Sequence, residues 1–315
     1  MNIFSIKKNR RIVQFFFGML LIGSVIWQSN PKKLYSQLID APLYYLIPFF
    51  LIYYLLIVLM SSAGIYILLL RIKGGNFWRL IKTSFKLQVI SLITPGRLGD
   101  IGLLYYLKGV YTSGQLGAIF FIDKLITLGV NIFLSILGIG FFLSWDYAVA
   151  MAFFLITIFL LIVWFLFKFP QKIIYRGFLK KIILHLQGFR VELNAATSDL
   201  QGLIGNILLT IVRCILAGFI MLLALLWYGQ HVSLINVLLI QAVAQLATFV
   251  PLTIMGLGIT EAVCVSLFKT IGVPSEIVLA VLLWSRAIYL LFIVCIYFFW
   301  TAAPFLHRLL PATRH

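Results

Sequence analysis

Apolar positions in this chain come in long unbroken blocks, without the strict alternation of a half-buried strand. Six blocks, at 12–28, 42–70, 114–145, 147–167, 203–228 and 276–304, hold few charges. A helix needs about 20 mostly apolar residues to cross the hydrocarbon, so each block predicts a membrane-spanning α-helix. The longer ones accommodate by tilting or bending. The first block follows Lys7, Lys8, Arg10 and Arg11, the layout of a secretory leader. No small-x-small cleavage site comes after it, so it is expected to remain as the first span.

Two further apolar regions, 77–111 and 234–271, are interrupted in the middle. The first is broken by Thr94, Pro95, Gly96, Arg97, Leu98, Gly99 and Asp100, and the second by a stretch containing Pro251, Gly256 and Gly258. Proline and glycine there end or kink a helix, and broken backbone in hydrocarbon must be shielded by protein or line a wet cavity. Each region therefore reads as two half-helices meeting deep in the membrane, or as one kinked span with a surface segment.

The distribution of basic residues chooses between these. Take the N-terminus as cytoplasmic and let each broken region enter and leave on one side. Seventeen Lys/Arg then fall inside: four before the first span, five between Arg71 and Lys86, six between Lys168 and Arg190, and Arg308 with Arg314. Only Lys32, Lys33 and Lys269 fall outside, offset by Asp40, Asp146 and Glu276. Making one broken region a net crossing would put 168–190 outside, against the positive-inside rule.

The expected fold is an all-α polytopic membrane protein, a single transmembrane domain over 1–315. It has six full spans plus two oppositely oriented re-entrant half-helix hairpins. Its halves, 42–145 with hairpin 77–111 and 203–304 with hairpin 234–271, form an inverted repeat. The linker 168–200 is too polar to span. Its Ile173, Ile174, Phe178, Leu179, Ile182, Ile183 and Leu186 recur at helical spacing opposite basic residues. That suits an interfacial amphipathic helix on anionic lipid headgroups at the cytoplasmic face, or equally a tilted connector.

Composition agrees. Hydrophobic residues make up 63% of the chain and charged residues 10%, where a soluble domain carries about 25% charged. The formal charge of +17 would suggest nucleic acid in a soluble protein. Here the basic residues flank apolar spans and no aromatic-basic module accompanies them, so no nucleic-acid partner is expected. The expected location is a bacterial-type cytoplasmic (inner) membrane, with both termini cytoplasmic. Cys214, Cys264 and Cys295 lie within apolar runs and the four histidines are scattered, so no metal site is expected.

Eight charged residues remain at or within the membrane: Arg97, Asp100, Lys108, Asp123, Lys124, Arg213, Glu261 and Arg286. Such groups are costly there, normally pair or face water, and are functional candidates. Arg97 can grip a phosphate bidentately beside the N-terminus of the following half-helix. Asp100 and Glu261 each follow a break and read either as capping acids or as cavity carboxylates. Arg286 is the natural partner of Glu261 or Asp123, and Asp123 and Lys124 can neutralise each other. Lys108 and Arg213 are expected to snorkel to the cytoplasmic face. Gln88 and Gln245 line a polar path or bond between helices. No Walker A, GxSxG or HExxH motif is present, so neither ATP-driven pumping nor catalysis is expected, and no cofactor is implied.

Residues 94–100, Thr-Pro-Gly-Arg-Leu-Gly-Asp, resemble the TPGRLGE signature of the flippase-like membrane family. That family includes the membrane domain of lysylphosphatidylglycerol synthase and flippase and the YbhN-like and AglD-like proteins. Residues 121–127, Phe-Ile-Asp-Lys-Leu-Ile-Thr, fall where the family has an ERxxD-like stretch, and 256–262, Gly-Leu-Gly-Ile-Thr-Glu-Ala, resemble its GGLGxxEA signature. Asp100 stands for the usual glutamate, Thr127 where an acid is common, and Met255 for the first glycine. The resemblance implies a lipid-translocating fold with two re-entrant hairpins around a central cavity. It does not imply lipid aminoacylation, because these 315 residues hold no soluble aminoacyl-transferase domain.

The leading reading is a flippase or transporter for a phospholipid, glycolipid or polyprenyl-phosphate lipid. Arg97 would hold the phosphate. Asp100, Asp123 and Glu261, paired with Lys124 and Arg286, would line the headgroup path with Gln88 and Gln245. The alternative is a non-catalytic membrane subunit that presents lipid to a separate glycosyltransferase or synthase, a lipid-modifying enzyme partner. An intramembrane transferase using Asp100, Asp123 or Glu261 ranks below both.

Overall fold

The computed structural model describes residues 3–73, 76–93, 102, 106–107, 111–168, 191–195, 197–248, 253 and 256–309. Its long elements are all helices: α1 (Ile3–Gln28), α2 (Pro31–Ile39), α3 (Leu43–Lys73), α4 (Phe77–Ile93), α5 (Ser113–Phe142), α6 (Trp145–Lys168), α7 (Leu200–Trp227), α8 (Leu234–Ala247), α9 (Ile259–Thr270) and α10 (Ser275–Leu309). Four are long and apolar enough to cross a membrane, over Leu43–Leu70, Gly114–Phe142, Leu200–Trp227 and Ser275–Phe299. Val13–Gln28 in α1 and Trp145–Ile158 in α6 are shorter apolar stretches.

Large apolar side chains point outward, among them Phe15, Phe16 and Leu20 on α1 and Phe153, Phe154 and Trp164 on α6. Soluble monomers rarely expose apolar patches beyond a few hundred Å². Here the same surface suits hydrocarbon, and the chain is a multi-pass membrane protein.

Local sequence sets the helix ends. Thr112 and Gln115 form a reciprocal capping box at the start of α5. Ser233 caps α8 by accepting from Asn236 N. The apolar block 114–145 is divided at Leu143 and Ser144, with Trp145 opening α6. α2 is an element the apolar pattern did not predict. Asn30 caps it and Pro31 takes a first-turn position. It packs against α10, where Trp284 donates to Leu38 O at 3.3 Å, and Tyr228 at the end of α7 donates to Gln37 O at 3.1 Å.

The packing falls into matched pairs. α3 packs against α7. α3 holds α4 as α7 holds α8, α10 contacts α4 as α5 contacts α8, and α3 meets both α5 and α10 as α7 does. One core cluster centres on α7, α8, α9 and α10, including Leu225, Ile240, Phe268 and Val278. A second joins α3, α4 and α5 through Leu69, Leu80 and Ile119.

Of the two interruptions, 94–100 lies outside the described residues, as do Pro251 and most of the linker 168–200. The second interruption is described at its edges. α8 stops at Thr248 and α9 starts at Ile259, and the two helices pack against each other. Gly256 and Gly258 have φ of +68° and +85°, a region that favours glycine. A Cβ on Gly258 would lie 2.6 Å from Leu21 Cβ and 2.7 Å from Gly18 O, so α1 lies directly on this turn.

Candidate functional site

A cavity of about 310 Å³ lies between α3, α5, α7, α8, α9 and α10. Its walls carry Ile57, Leu134, Leu238 and Leu282, and with them a set of polar groups: Thr127 and Asn131 from α5, Thr210 and Arg213 from α7, Gln241 and Gln245 from α8, and Thr260 from α9. Gln241 and Gln245 are four apart, which puts both amides on one helix face. Thr127 and Asn131 share a face of α5 in the same way.

Arg213, expected to snorkel to the cytoplasmic face, is half-buried and lines the cavity. Its Nη2 donates to Thr210 Oγ1 at 2.9 Å and to Thr127 Oγ1 at 3.2 Å, joining α7 to α5 at the cavity wall. Thr127, which stands where the resembled family often has an acid, is thus a neutral acceptor for this guanidinium. Asn131 Nδ2 donates to Thr127 O at 2.7 Å, fixing that turn of α5. The available signal was a lone arginine in an apolar block with hydroxyls at Thr210 on its own helix and at Thr127 on another. Only the second requires the fold.

The predicted charged residues mostly meet one another. Glu261 is 1% exposed and forms an ion pair with Arg286 Nε of α10. Its other oxygen accepts from Gly258 N at 2.7 Å. The capping and pairing readings of Glu261 therefore hold together, one for each oxygen. Burial of the pair is tolerable because each charge has a partner and the carboxylate gains a backbone N–H.

Asp123 is fully buried on α5 and lies 3.6 Å from Lys124 Nζ. Asn206 Nδ2 of α7 donates to its Oδ1 at 3.1 Å. Gly64 makes the space for this bond, since a Cβ there would sit 2.9 Å from Asn206 Nδ2. Lys124 also lines a small recess shared with Ser61, Ser84 and Gln88.

Gln88 accepts from Tyr289 OH at 3.0 Å, tying α4 to α10, which is the interhelical role. Gln245 lines the cavity. Arg97, Asp100, Pro95, Gly96 and Gly99 lie outside the described residues, with Lys108. The structure thus gathers Gln245 with five polar residues that were not predicted as site residues and Thr127. The Glu261–Arg286 pair links α9 to α10, while the Asp123–Lys124 pair lies within α5 and is tied to α7 by Asn206. Among the described residues no group of histidine, cysteine, aspartate and glutamate is arranged to hold a metal.

An apolar helical bundle with a partly polar cavity between six of its helices defines a polytopic membrane protein. The chain belongs to the family described as the lysylphosphatidylglycerol synthase TM region, whose family model matches residues 11–296. No curated protein and no solved structure matches it. The match runs from within α1 into α10 and so takes in the whole helical core.

Proposed function

We propose that the chain is a lipid flippase or transporter, moving a phospholipid, glycolipid or polyprenyl-phosphate lipid between leaflets. The observation that carries this is the cavity itself. Among the described residues, seven polar side chains and the Tyr53 phenol line one space inside a bundle whose outer surface is apolar. Polar groups at membrane depth are sustained where they bond internally or line a wet path, and a path of this kind carries a headgroup while the tails stay in the bilayer. The family's description, which names a lysylphosphatidylglycerol synthase membrane region, points to the same class of molecule.

The matched packing of α3, α4 and α5 with α7, α8 and α10 supports reading 42–145 and 203–304 as two halves of an inverted repeat. At 1.5 Å per residue, the 14 residues of α8 and 12 of α9 extend about 21 and 18 Å. Both fall short of the roughly 30 Å of hydrocarbon, which favours a re-entrant hairpin over two crossings. In this reading the halves rock against each other to open the cavity to each leaflet in turn. Arg97 remains a proposed headgroup contact of the first hairpin, and the basic segments keep both termini on the cytoplasmic side of the inner membrane.

The test is reconstitution. Proteoliposomes carrying a headgroup-labelled lipid are treated with a membrane-impermeant quencher. Transport predicts that the protected inner-leaflet half becomes quenchable only when protein is present. Protection equal to that of protein-free vesicles, across phospholipid, glycolipid and polyprenyl-phosphate probes, rejects the proposal.

A further inference from the structure

The charged residues of the core sort into two groups. Asp123 with Lys124, and Glu261 with Arg286, form pairs whose charges offset each other. Arg213 differs. Among the described residues its bonds are the two made by Nη2 to the hydroxyls of Thr127 and Thr210, neutral groups that leave its charge uncompensated. It is also the one charged side chain among the described residues lining the cavity, and no carboxylate lines it with Arg213. The described part of the cavity wall is therefore net positive.

We infer that Arg213 anchors the phosphate of the substrate headgroup, and that the cavity selects an anionic headgroup bearing uncharged hydroxyls over a cationic one. This rests on the lipid-transport reading and names the substrate class of the same cavity. A guanidinium has five N–H donors, and the two contacts through Nη2 leave those of Nε and Nη1, on different edges of the group, for single charge-assisted bonds to phosphate oxygens. Gln241 and Gln245 present amides that both donate and accept, the chemistry that reads glycerol or sugar hydroxyls. A cationic headgroup would meet Arg213 with no carboxylate on the described wall to receive it. In a site screened poorly by water that repulsion costs affinity. A volume of about 310 Å³ is at the small end of ligand sites, which run from about 300 to 1,000 Å³. It suits a headgroup with its acyl chains outside.

The experiment measures binding to the purified full chain in detergent by calorimetry, with four short-chain probes. These are dihexanoyl phosphatidylglycerol, its lysyl ester, dihexanoylglycerol and inorganic phosphate. The anionic lipid is expected to bind at least about tenfold more tightly than each of the others. Arg213→Gln is expected to lose that preference, and Arg213→Lys to retain part of it because the charge remains without the fork. Gln245→Glu adds an acid to the wall, and should weaken the anionic lipid and strengthen its lysyl ester. The Gln245→Glu variant and the ranking on the unaltered chain keep the inference testable if Arg213→Gln fails to fold.

Equal or tighter binding of the lysyl ester by the unaltered chain overturns the inference, as does an Arg213→Gln protein that binds phosphatidylglycerol unchanged. Inorganic phosphate binding as tightly as the lipid would show an ion site and overturn the headgroup assignment. Flipping on the same preparations separates the two claims. The expected ranking without flipping rejects transport and leaves the site. Flipping that persists with no ranking rejects the site and leaves transport.

Discussion

Glu261 shows how much one buried carboxylate does in this fold. One oxygen closes the first turn of α9 on Gly258 N, and the other holds Arg286 on α10. Removing one partner of a buried pair strands the other charge, which typically costs about 3–5 kcal/mol. Arg286 is 26% exposed, so Glu261→Gln is expected to destabilise by about 3 kcal/mol, the low end of that range. The Glu261→Gln/Arg286→Gln double variant should recover part of the loss. Thermal unfolding in detergent checks both. At this scale the chemistry of Glu261 was legible in part, since an acid three residues after a glycine break announces a cap, while Arg286 was a natural partner for either Glu261 or Asp123. Arg213 was not legible. Its meaning depends on Thr127, 86 residues away in sequence and adjacent only once α5 packs on α7.

The long apolar helices were readable from block length alone, and their ends from caps such as Thr112 and Ser233. α2 escaped because it is short and amphipathic, and its place comes from contacts with Trp284 and Tyr228. The second interruption was readable from its glycines. What sequence could not give is its cover, the close approach of Gly18 and Leu21 on α1. Interhelical fit can be tested on its own at α5 and α8. A Cβ on Gly138 would lie 2.9 Å from Val243 Cγ2 and 3.0 Å from Leu239 O, so α8 rests directly on this glycine. Gly138→Leu is expected to force α8 away from α5 and to cost about 1–3 kcal/mol, as overpacking does. Because α8 carries Gln241 and Gln245, lipid binding should fall more than thermal stability. Unchanged binding in the folded variant would mean that the α5–α8 seam does not shape the cavity.

At the scale of the molecule, the two halves pack in corresponding ways, and seventeen of the twenty Lys/Arg outside the spans fall on one side of the proposed topology. That topology puts α2, the turn after α7 and the turn between α9 and α10 together. The bonds from Tyr228 to Gln37 and from Trp284 to Leu38 tie the first two of these to the start of α10. Single cysteines at His231 and Lys269, with the three native cysteines replaced, are expected to react with an impermeant maleimide added to whole cells. A cysteine at Asn76 should react only after lysis. Labelling of all three from one side would remove the oppositely oriented hairpins.

The central claim is that lipid headgroups pass through the cavity between α3, α5, α7, α8, α9 and α10. Ala217 lines that cavity from α7, and Ala217→Trp would fill it with an indole. The most direct measurement is the flipping rate of Ala217→Trp in proteoliposomes, made with protein whose unfolding temperature matches the unaltered chain. The account predicts a loss of at least about tenfold, the effect of removing roughly 1.4 kcal/mol of barrier stabilisation. A plugged protein that flips lipid at the original rate would contradict it.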